Sequence, residues 1–420
     1  MGDRPSPLDL SNLRVERHGS PMHVAALALL GDGPRPTLDD VRRLVEERAP
    51  HAPWTTTALS WPHGPRRRPV WARGVELDSG HHVRAVPVPA PGGEAALLAT
   101  AAELLPRPLD LTRPLWDLWL LTTPDGGAAA LLMRLHHVVA DGLAAVAQLG
   151  AFFDADPSAA AARPPPSVGV PAPGVVARAA ATLRQTAAVA RAGRAPVAPW
   201  NRPVGPRRSF ALVRADLAAA KAAAHAAGGK VNDVVLAAVA GGARAWLERH
   251  DALAPDLELR VSVAVSVRRP GQTGGNRVGV RLTGLPVGEP DAARRLRRVV
   301  AASARQRLVP PSQPAGRLLQ WWMVWVMPRQ RMTNLVVSNV PGPTGRLSFA
   351  GAPVDGLFQL PSLQGNLGVG VGVLSYAGRL TFAVVADADL VPDVELFAGG
   401  VRDTLARLGA SGPGTAPATA

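Results

Sequence analysis

Between residues 20 and 153, short apolar runs alternate with stretches in which apolar residues recur every three to four positions. Continuous or alternating apolar runs are typical of strands, and a three-to-four-residue recurrence is typical of helices with one buried face. This part of the chain is therefore expected to have a mixed α/β structure. The predicted strands are residues 21–30, 81–88 and 128–137, and the predicted helices are residues 38–49, 94–105 and 141–153.

A similar alternation returns after residue 209. An Ala-rich helix is expected to end at Gly228 and Gly229, because glycine is common just after the last helical residue. A second helix is expected to start behind Asn232 and Asp233, whose side chains can act as its N-cap. Further strands are predicted at residues 258–267, 277–287, 366–375 and 379–388, and a further helix at 291–307; the last two strands would form a hairpin.

The two halves are separated by a segment of different composition, rich in proline and alanine from residue 154 onwards. A chain of 420 residues is long enough to build two cores of ordinary size. We therefore expect an N-terminal subdomain at 1–155, a crossover linker at 156–208, a C-terminal subdomain at 209–410 and a disordered tail at 411–420.

The composition indicates a folded protein, with 47% hydrophobic and 19% charged residues. The chain has no cysteine, which excludes disulfides, cysteine zinc sites and a thiol nucleophile. The apolar run near residue 25 lacks the basic lead of an export signal, so a cytoplasmic location is expected.

The formal net charge is +14, and nearly all of the positive charge comes from arginine. An anionic partner would fit this charge, either a phosphorylated cofactor or anionic lipid head groups. Nucleic acid is the weakest candidate, because the arginines are scattered and no aromatic-rich surface accompanies them. A coding bias towards Arg, Ala and Pro explains the charge equally well.

The most informative stretch is "LHHVVADG", residues 135–142. Adjacent strand residues point to opposite faces, so only one of His136 and His137 can face a cleft. Asp141 stands where it can cap the following helix and orient an imidazole or an arginine.

Three interpretations of this stretch remain open on physical grounds. The histidine is a core residue beside an N-cap; or it is a metal ligand; or it is a general base. The metal interpretation is disfavoured, because His137 and Asp141 would need a continuous helix to share a face and no third ligand is near. There is no G-x-S-x-G elbow, so no nucleophile for an acyl-enzyme is apparent.

The motif "HHVVADG" (136–142) resembles the H-H-x-x-x-D-G motif of acyltransferases with the chloramphenicol-acetyltransferase-like fold, a superfamily that includes condensation domains. Four more segments narrow the resemblance to the bacterial wax ester synthase/acyl-CoA:diacylglycerol acyltransferase family. These are "PMHV" (21–24), "PLDLTRPLW" (108–116), "NDVVLA" (232–237) and "SNVPGP" (338–343), together with the shorter "GNRV" (275–278) and "SYAG" (375–378).

The resemblance implies two similar α/β subdomains flanking a central substrate tunnel. It implies transfer of a long-chain acyl group from acyl-CoA to diacylglycerol or a fatty alcohol, with no covalent intermediate, no metal and no permanently bound cofactor. His137 would be the general base, His136 and Gly142 would support the site, and Asp141 would pair with Arg268. The protein would be a monomer or homodimer that does not bind nucleic acid. Alternatives are a related acyltransferase with another acceptor, such as a polyketide alcohol, and a catalytically silent lipid-droplet-binding scaffold.

The other family motifs supply candidate residues that bind substrate or shape the tunnel. Core packing is the favoured interpretation of the PLW motif. An N-cap is enough to explain the ND motif, although lining of the cleft stays open as its alternative role. Asn339 is the best candidate for a polar contact in the SNVPGP motif, whose prolines and glycine force a turn after a strand. The candidates are Pro114, Leu115, Trp116, Asn232, Asp233, Asn276, Ser338, Asn339, Pro341 and Gly342.

A Trp-rich segment, residues 316–331, bears on the location of the protein. Its apolar stretch is too short for the ~20 residues of a spanning helix. Trp321, Trp322 and Trp325 suit an amphipathic helix in a membrane interface, a lid at the tunnel mouth or a buried core helix. Because the substrates would be insoluble in water, we expect peripheral contact with the inner membrane or lipid droplets.

Overall fold

The structure is a computed structural model with side chains. It describes residues 4–17, 21–62, 64, 68–123, 126–155, 193–266, 278–307 and 324–411. Most of the predicted linker, up to residue 192, and the predicted tail beyond residue 411 lie outside the described residues.

The described residues form nine α-helices and fifteen strands. The helices are α1 (Pro7–Arg17), α2 (Leu38–Arg48), α3 (Ser79–His82), α4 (Gly93–Leu104), α5 (Gly142–Leu149), α6 (Leu217–Ala226), α7 (Val231–Arg249), α8 (Ala292–Arg307) and α9 (Val394–Arg407). The strands of the first half are β1 (His23–Leu30), β2 (Ala58–Ser60), β3 (Val70–Ala72), β4 (Val83–Pro87), β5 (Trp116–Thr122), β6 (Ala128–His136) and β7 (Asp154–Ala155). Those of the second half are β8 (Arg208–Asp216), β9 (Glu258–Ser266), β10 (Val278–Pro286), β11 (Leu335–Pro341), β12 (Leu347–Phe349), β13 (Ala352–Leu360), β14 (Val369–Tyr376) and β15 (Arg379–Asp387).

The first large sheet has seven strands in the order β4-β5-β6-β1-β13-β12-β7. Strand β1 is central, with β6 antiparallel on one side and β13 antiparallel on the other. Strands β12 and β13 come from the second half of the chain, about 200 residues after β6. The first sheet is therefore completed by the second half, which brings residues 347–360 next to the β1–β6 pair.

The second large sheet has six strands in the order β10-β9-β11-β14-β15-β8. Strand β11 pairs in parallel with both β9 and β14, and the predicted hairpin of β14 and β15 is confirmed. Helix α7 is buried along most of its length against this sheet and packs on α9. The core of this sheet is separate from those of the first sheet, and β13 of the first sheet contacts β14 and β15 of the second.

One predicted boundary was wrong. The strand expected at residues 81–88 begins only at Val83, because Ser79–His82 form a short helical turn. The Asp78 carboxylate accepts a hydrogen bond from the His81 backbone N–H at 3.0 Å and so caps this turn. Two adjacent histidines therefore end a helical turn here, whereas His136 is the last residue of a strand and His137 follows it.

Candidate active site

The histidine motif lies where β6 ends and α5 begins. The β6 run is buried along nearly its whole length, as expected of a central strand. The backbone N–H of His136 donates to the Leu115 carbonyl at 2.9 Å, and that of His137 donates to the Met22 carbonyl at 2.7 Å. The Asn12 side-chain amide donates to the His137 carbonyl at 3.0 Å. Three segments thus fix the backbone of the two histidines.

The His136 imidazole is completely buried, and both of its nitrogens are engaged. Nδ1 accepts a hydrogen bond from the Val138 backbone N–H at 3.0 Å, so the ring proton is on Nε2. Nε2–H donates to Glu16 Oε2 at 2.6 Å. Burial lowers the pKa of His136 below its ordinary value, although the bond to Glu16 partly opposes this. His136 is therefore a neutral imidazole in a single tautomer.

Glu16, on α1, is the partner that the sequence did not reveal. Burial by itself raises the pKa of this carboxyl, but the hydrogen bond from His136 and the nearby His23 lower it more, from 4.5 to about 2. His23 Nε2 lies 3.5 Å from Glu16 Oε1, which is too far for a strong hydrogen bond. The Glu16 carboxylate thus lies between two buried imidazoles, and it links α1 to the loop that carries the two histidines.

His137 is half-buried, in contrast to its neighbour. The prediction that only one of the two histidines is accessible is confirmed. Because its backbone is fixed on both sides by Met22 and Asn12, the imidazole is presented from a rigid turn. This is the arrangement that a proton-transferring side chain needs.

Asp141 and Gly142 begin helix α5. Asp141 is fully buried, and its Oδ1 accepts a hydrogen bond from the Ala144 backbone N–H at 3.0 Å, so the predicted N-cap is confirmed. A Cβ on Gly142 would lie 2.6 Å from Gln359 Nε2 and 3.6 Å from Ser338 Oγ. A side chain at position 142 would therefore displace the Gln359 amide, which lies directly over the helix start.

The PLW motif supports the histidine loop through packing and backbone contacts. Pro114, Leu115 and Trp116 are all buried. The Trp116 indole stacks on His82 with ring centres 4.5 Å apart, and its N–H donates to the Thr55 carbonyl at 3.0 Å. The Leu115 carbonyl is the acceptor that holds the His136 N–H. The packing interpretation of this motif is confirmed.

The SNVPGP motif connects the two large sheets. Ser338, Asn339 and Pro341 lie within β11, so the strand extends one residue into the turn expected at residues 341–343, and Gly342 follows it directly. Ser338 Oγ accepts a hydrogen bond from Gln359 Nε2 at 3.1 Å. A Cβ on Gly342 would lie 2.5 Å from the Ser375 carbonyl, which explains the glycine there.

The ND motif begins helix α7, but neither of its residues is the N-cap. The helix starts at Val231, with Lys230 as the cap residue, so the prediction that Asn232 or Asp233 fills this position was wrong. The buried Asp233 carboxylate instead reaches back from the third helical position and accepts from the Lys230 backbone N–H at 2.8 Å. The Asn232 side-chain oxygen Oδ1 accepts a hydrogen bond from the Asn339 side-chain amide at 3.3 Å, which joins α7 to β11.

A narrow apolar cavity lies between α5 and the first sheet, with a volume of about 30 Å³. Its walls come from β1, β6, β12, β13, β14, α5 and the segments that follow α5 and β11. Gln359 has the one polar side chain among its lining residues in the described part of the chain. The cavity is therefore a small apolar space beside α5 with a single polar side chain in its wall.

Several candidate residues fall outside the described ranges. These are Arg268, Asn276, Trp321 and Trp322. Trp325 is described, and 63% of its surface is exposed. Within the described ranges, no group of three or more acidic or histidine side chains is arranged to hold a metal ion, and no helix is long and apolar enough to cross a membrane.

Comparison with known families decides what the chain is. The model of the wax ester synthase/diacylglycerol acyltransferase catalytic domain matches residues 6–175 and 172–235. The model of the WS/DGAT C-terminal domain matches residues 274–409. The chain belongs to the wax ester synthase/diacylglycerol acyltransferase (WS/DGAT) family.

Relatives and solved structures agree with this membership. A putative diacylglycerol O-acyltransferase of Mycobacterium tuberculosis is 30% identical over 458 residues, which cover 97% of this chain and 90% of that protein. A probable diacylglycerol O-acyltransferase of the same species is 30% identical over 429 residues, which cover 94% of this chain and 92% of that protein. The chain is thus similar to both relatives from end to end.

The fold is similar to that of a WS/DGAT from Marinobacter aquaeolei, with a TM-score of 0.71 and 24% identity over 97% of this chain and 98% of that chain. It is also similar to the first condensation domain of the CDA synthetase, with a TM-score of 0.61 and 16% identity over 97% and 96%. The predicted chloramphenicol-acetyltransferase-like fold, with two subdomains, is confirmed. This WS/DGAT family member is an O-acyltransferase, as its motifs indicated.

Two residues at the site of this WS/DGAT protein were missed by sequence reasoning. Glu16 lies 120 residues before His136, and no spacing pattern connects the two. Gln359 lies in a strand whose apolar pattern predicts only burial. The one signal that pointed towards Gln359 was Gly142, since a glycine opening a helix marks a position that another group approaches closely.

Proposed function

We propose that the protein transfers a long-chain acyl group from acyl-CoA to the hydroxyl of diacylglycerol or a fatty alcohol, with His137 as general base. One observation carries this proposal. A half-buried imidazole is presented from a rigid turn, directly beside a buried histidine whose protonation is fixed. His137 thus has the accessibility that proton transfer needs, while His136 and Glu16 form its support.

The reaction is a direct displacement at the thioester carbonyl. The acceptor hydroxyl oxygen attacks this carbon while its proton moves to His137, and a C–O bond forms. The C–S bond then breaks, and the CoA sulfur leaves and receives the proton from the imidazolium. Because an alcohol does not ionise appreciably at neutral pH, this proton transfer contributes about 10²–10⁴ in rate.

The buried neighbours of His137 act by positioning it. Glu16 holds the His136 ring, and Nδ1 of that ring holds the Val138 backbone N–H, so the carboxylate stabilises the turn that carries His137. Asp141 fixes the start of α5 as its N-cap. A backbone N–H near Gly142 then faces the oxygen of the thioester, where negative charge develops during attack.

Substrates reach His137 between the two subdomains, 1–155 and 209–410, which are connected by the linker 156–208. Support for a tunnel there comes from the apolar cavity beneath α5, whose lining residues come from both halves of the chain. In its present form the cavity holds about one water molecule, so chain binding requires α5 or its neighbours to move apart. Acyl-CoA is a co-substrate, and the mechanism uses no resident cofactor.

The protein works at the surface of the inner membrane or of lipid droplets. Support comes from the exposed Trp325 indole and the exposed Val197 side chain, 66% of whose surface is accessible. The two segments that carry them lie side by side, since the Ala195 N–H donates to the Arg331 carbonyl at 2.8 Å. Tryptophan and arginine together suit the boundary between head groups and acyl chains.

The test is CoA release from palmitoyl-CoA by the purified protein, with hexadecanol or dipalmitoylglycerol as acceptor. His137→Ala should lower acceptor-dependent release by about 10² or more. The matched control is His225→Ala, which removes an exposed histidine of α6 and should leave the rate unchanged. Equal rates for wild type and His137→Ala with both acceptors would contradict the proposed mechanism, and a preferred acceptor would identify the product.

A further inference from the structure

We propose that Gln359 is a specificity-determining residue whose buried side-chain carbonyl binds a hydroxyl group other than the one that is acylated. The hydroxyl belongs to a hydrocarbon chain, either that of the acyl donor or that of the acceptor. This inference rests on the proposed function, because it assumes that the reacting hydroxyl gives its proton to His137.

The position of Gln359 supports a contact with substrate. Gln359 lies opposite Ala26 in the β1–β13 pair and therefore points to the face of the sheet that α5 covers. Its amide nitrogen donates to Ser338 Oγ and approaches Gly142 at the start of α5. The Gln359 side chain thus lies where β13, the start of α5 and β11 meet.

The chemistry of its surroundings makes Gln359 unusual. Only 3% of the residue is exposed, and its Oε1 is buried without a hydrogen-bond partner. Burial of an unpaired polar group is unfavourable, and a packed core normally avoids it. The remaining cavity lining around it in the described chain is aliphatic, aromatic, glycine or proline. A polar atom kept in this wall indicates a ligand that brings a donor.

The identity of the donor follows from counting protons. The acceptor hydroxyl has one proton, and in the proposed mechanism it points at His137. The alkyl chain and the thioester have no donor, and the amide N–H groups of the CoA pantetheine arm lie beyond the sulfur, outside the hydrocarbon chain that this apolar wall suits. The partner of Oε1 is therefore a second hydroxyl, on a 3-hydroxyacyl donor or on a diol-type acceptor. A site that hydrogen-bonds such a group discriminates against the analogue that lacks it, because the buried carbonyl is then left unpaired.

The experiment compares binding of matched ligands by isothermal titration calorimetry. One arm uses 3-hydroxydodecanoyl-CoA against dodecanoyl-CoA, and the other uses 1,2-dodecanediol against 1-dodecanol. For each arm the ratio of dissociation constants is measured for wild type, Gln359→Leu and the control Met133→Leu, which changes an apolar residue of the same cavity. Gln359→Leu keeps the side-chain volume and removes the buried polar group, so the folded state should persist.

We expect the preference for the hydroxylated ligand to fall by about tenfold in Gln359→Leu in one arm, and to be unchanged in Met133→Leu. The arm that responds identifies the source of the hydroxyl. A change of less than about twofold in both arms overturns the proposal, as does an equal loss in Met133→Leu. Because binding is measured without turnover, discrimination without CoA release overturns only the proposed reaction, and CoA release without discrimination overturns only the role of Gln359.

Discussion

Glu16 Oε2 lies 2.6 Å from His136 Nε2, and this bond spans 120 residues of sequence. It joins the first helix of the chain to the end of the central strand β6. On the other side of the same His136 ring, Nδ1 accepts a hydrogen bond from the Val138 backbone N–H. A carboxylate outside the family motif therefore stabilises the turn that presents His137.

Removing the Glu16 side chain should slow the reaction without weakening substrate binding. In Glu16→Ala, His136 Nε2–H loses its acceptor, and we expect kcat to fall by about tenfold to 100-fold with little change in KM. Glu16→Gln keeps an acceptor oxygen and should restore most of the rate. Steady-state kinetics with palmitoyl-CoA and hexadecanol measure both. If both variants match wild type in kcat, Glu16 has no positioning role.

The buried histidines should make stability depend on pH. Burial is the main cause that lowers the pKa of both His136 and His82 in the folded protein. Below pH ~6.5 the unfolded chain binds protons that the folded protein does not, so stability is complete above pH ~6.5 and decreases as pH falls. The slope approaches about 1.4 kcal/mol per pH unit for each histidine.

Urea unfolding at pH 8, 7, 6 and 5.5 measures this dependence. The control is His82→Phe, which keeps a ring against Trp116 and removes one titrating group. Its slope between pH 6.5 and 5.5 should be shallower than that of wild type. An identical slope would exclude His82 as a contributor.

Gly142→Ala should strain the start of α5. The added methyl would lie 2.6 Å from Gln359 Nε2, so the buried amide must move. We expect about 1–3 kcal/mol of destabilisation, together with a lower rate of acyl transfer. Gly150→Ala, where a Cβ meets nothing within 4 Å, is the matched control.

A double-mutant cycle identifies the cause of this strain. If the clash with Gln359 is responsible, Gly142→Ala combined with Gln359→Ser should recover most of the lost stability in urea unfolding. Additive effects of the two substitutions would show that the strain comes from elsewhere.

Trp325→Ala should weaken binding to membranes. The indole is 63% exposed next to a segment rich in arginine, and it would insert between head groups. We expect Trp325→Ala to cosediment several-fold more weakly than wild type with vesicles that contain phosphatidylglycerol. Wild type and the variant should both bind these vesicles more weakly as the salt concentration is raised. Leu396→Ala, an exposed apolar residue of α9, is the control. Equal loss for the two variants would mean general surface hydrophobicity rather than a defined contact.

The sequence was sufficient for the elements that carry strong periodicity and for the histidine loop. The buried run of β6 and the Asp141 cap are local features, and local features are legible in a single sequence. The helix cap at residues 230–233 was misassigned by a few positions because Asp233 satisfies a backbone N–H from inside the helix. Such a boundary depends on geometry that the residue types alone leave open.

Long-range pairings were beyond the sequence. The strand at residues 352–360 has an ordinary apolar pattern, and nothing in it specifies that β13 joins the first sheet. Gln359 reaches the site through this strand pairing, and Glu16 reaches it through the long-range contact of α1 with His136. Their chemistry becomes apparent only when the partners are known, because a single carboxylate or amide in a sequence is usually a surface residue.

The crossover of β13 also has a consequence for synthesis of the protein. One edge of β1 pairs with β6, and the opposite edge pairs with residues 354–360 of β13. A ribosome must therefore release the chain past residue 360 before the N-terminal sheet closes, and until then an apolar strand edge stays exposed in the growing polypeptide. Production of this enzyme should thus be sensitive to translation speed and to chaperones that shield nascent strands, more than its final stability alone would suggest.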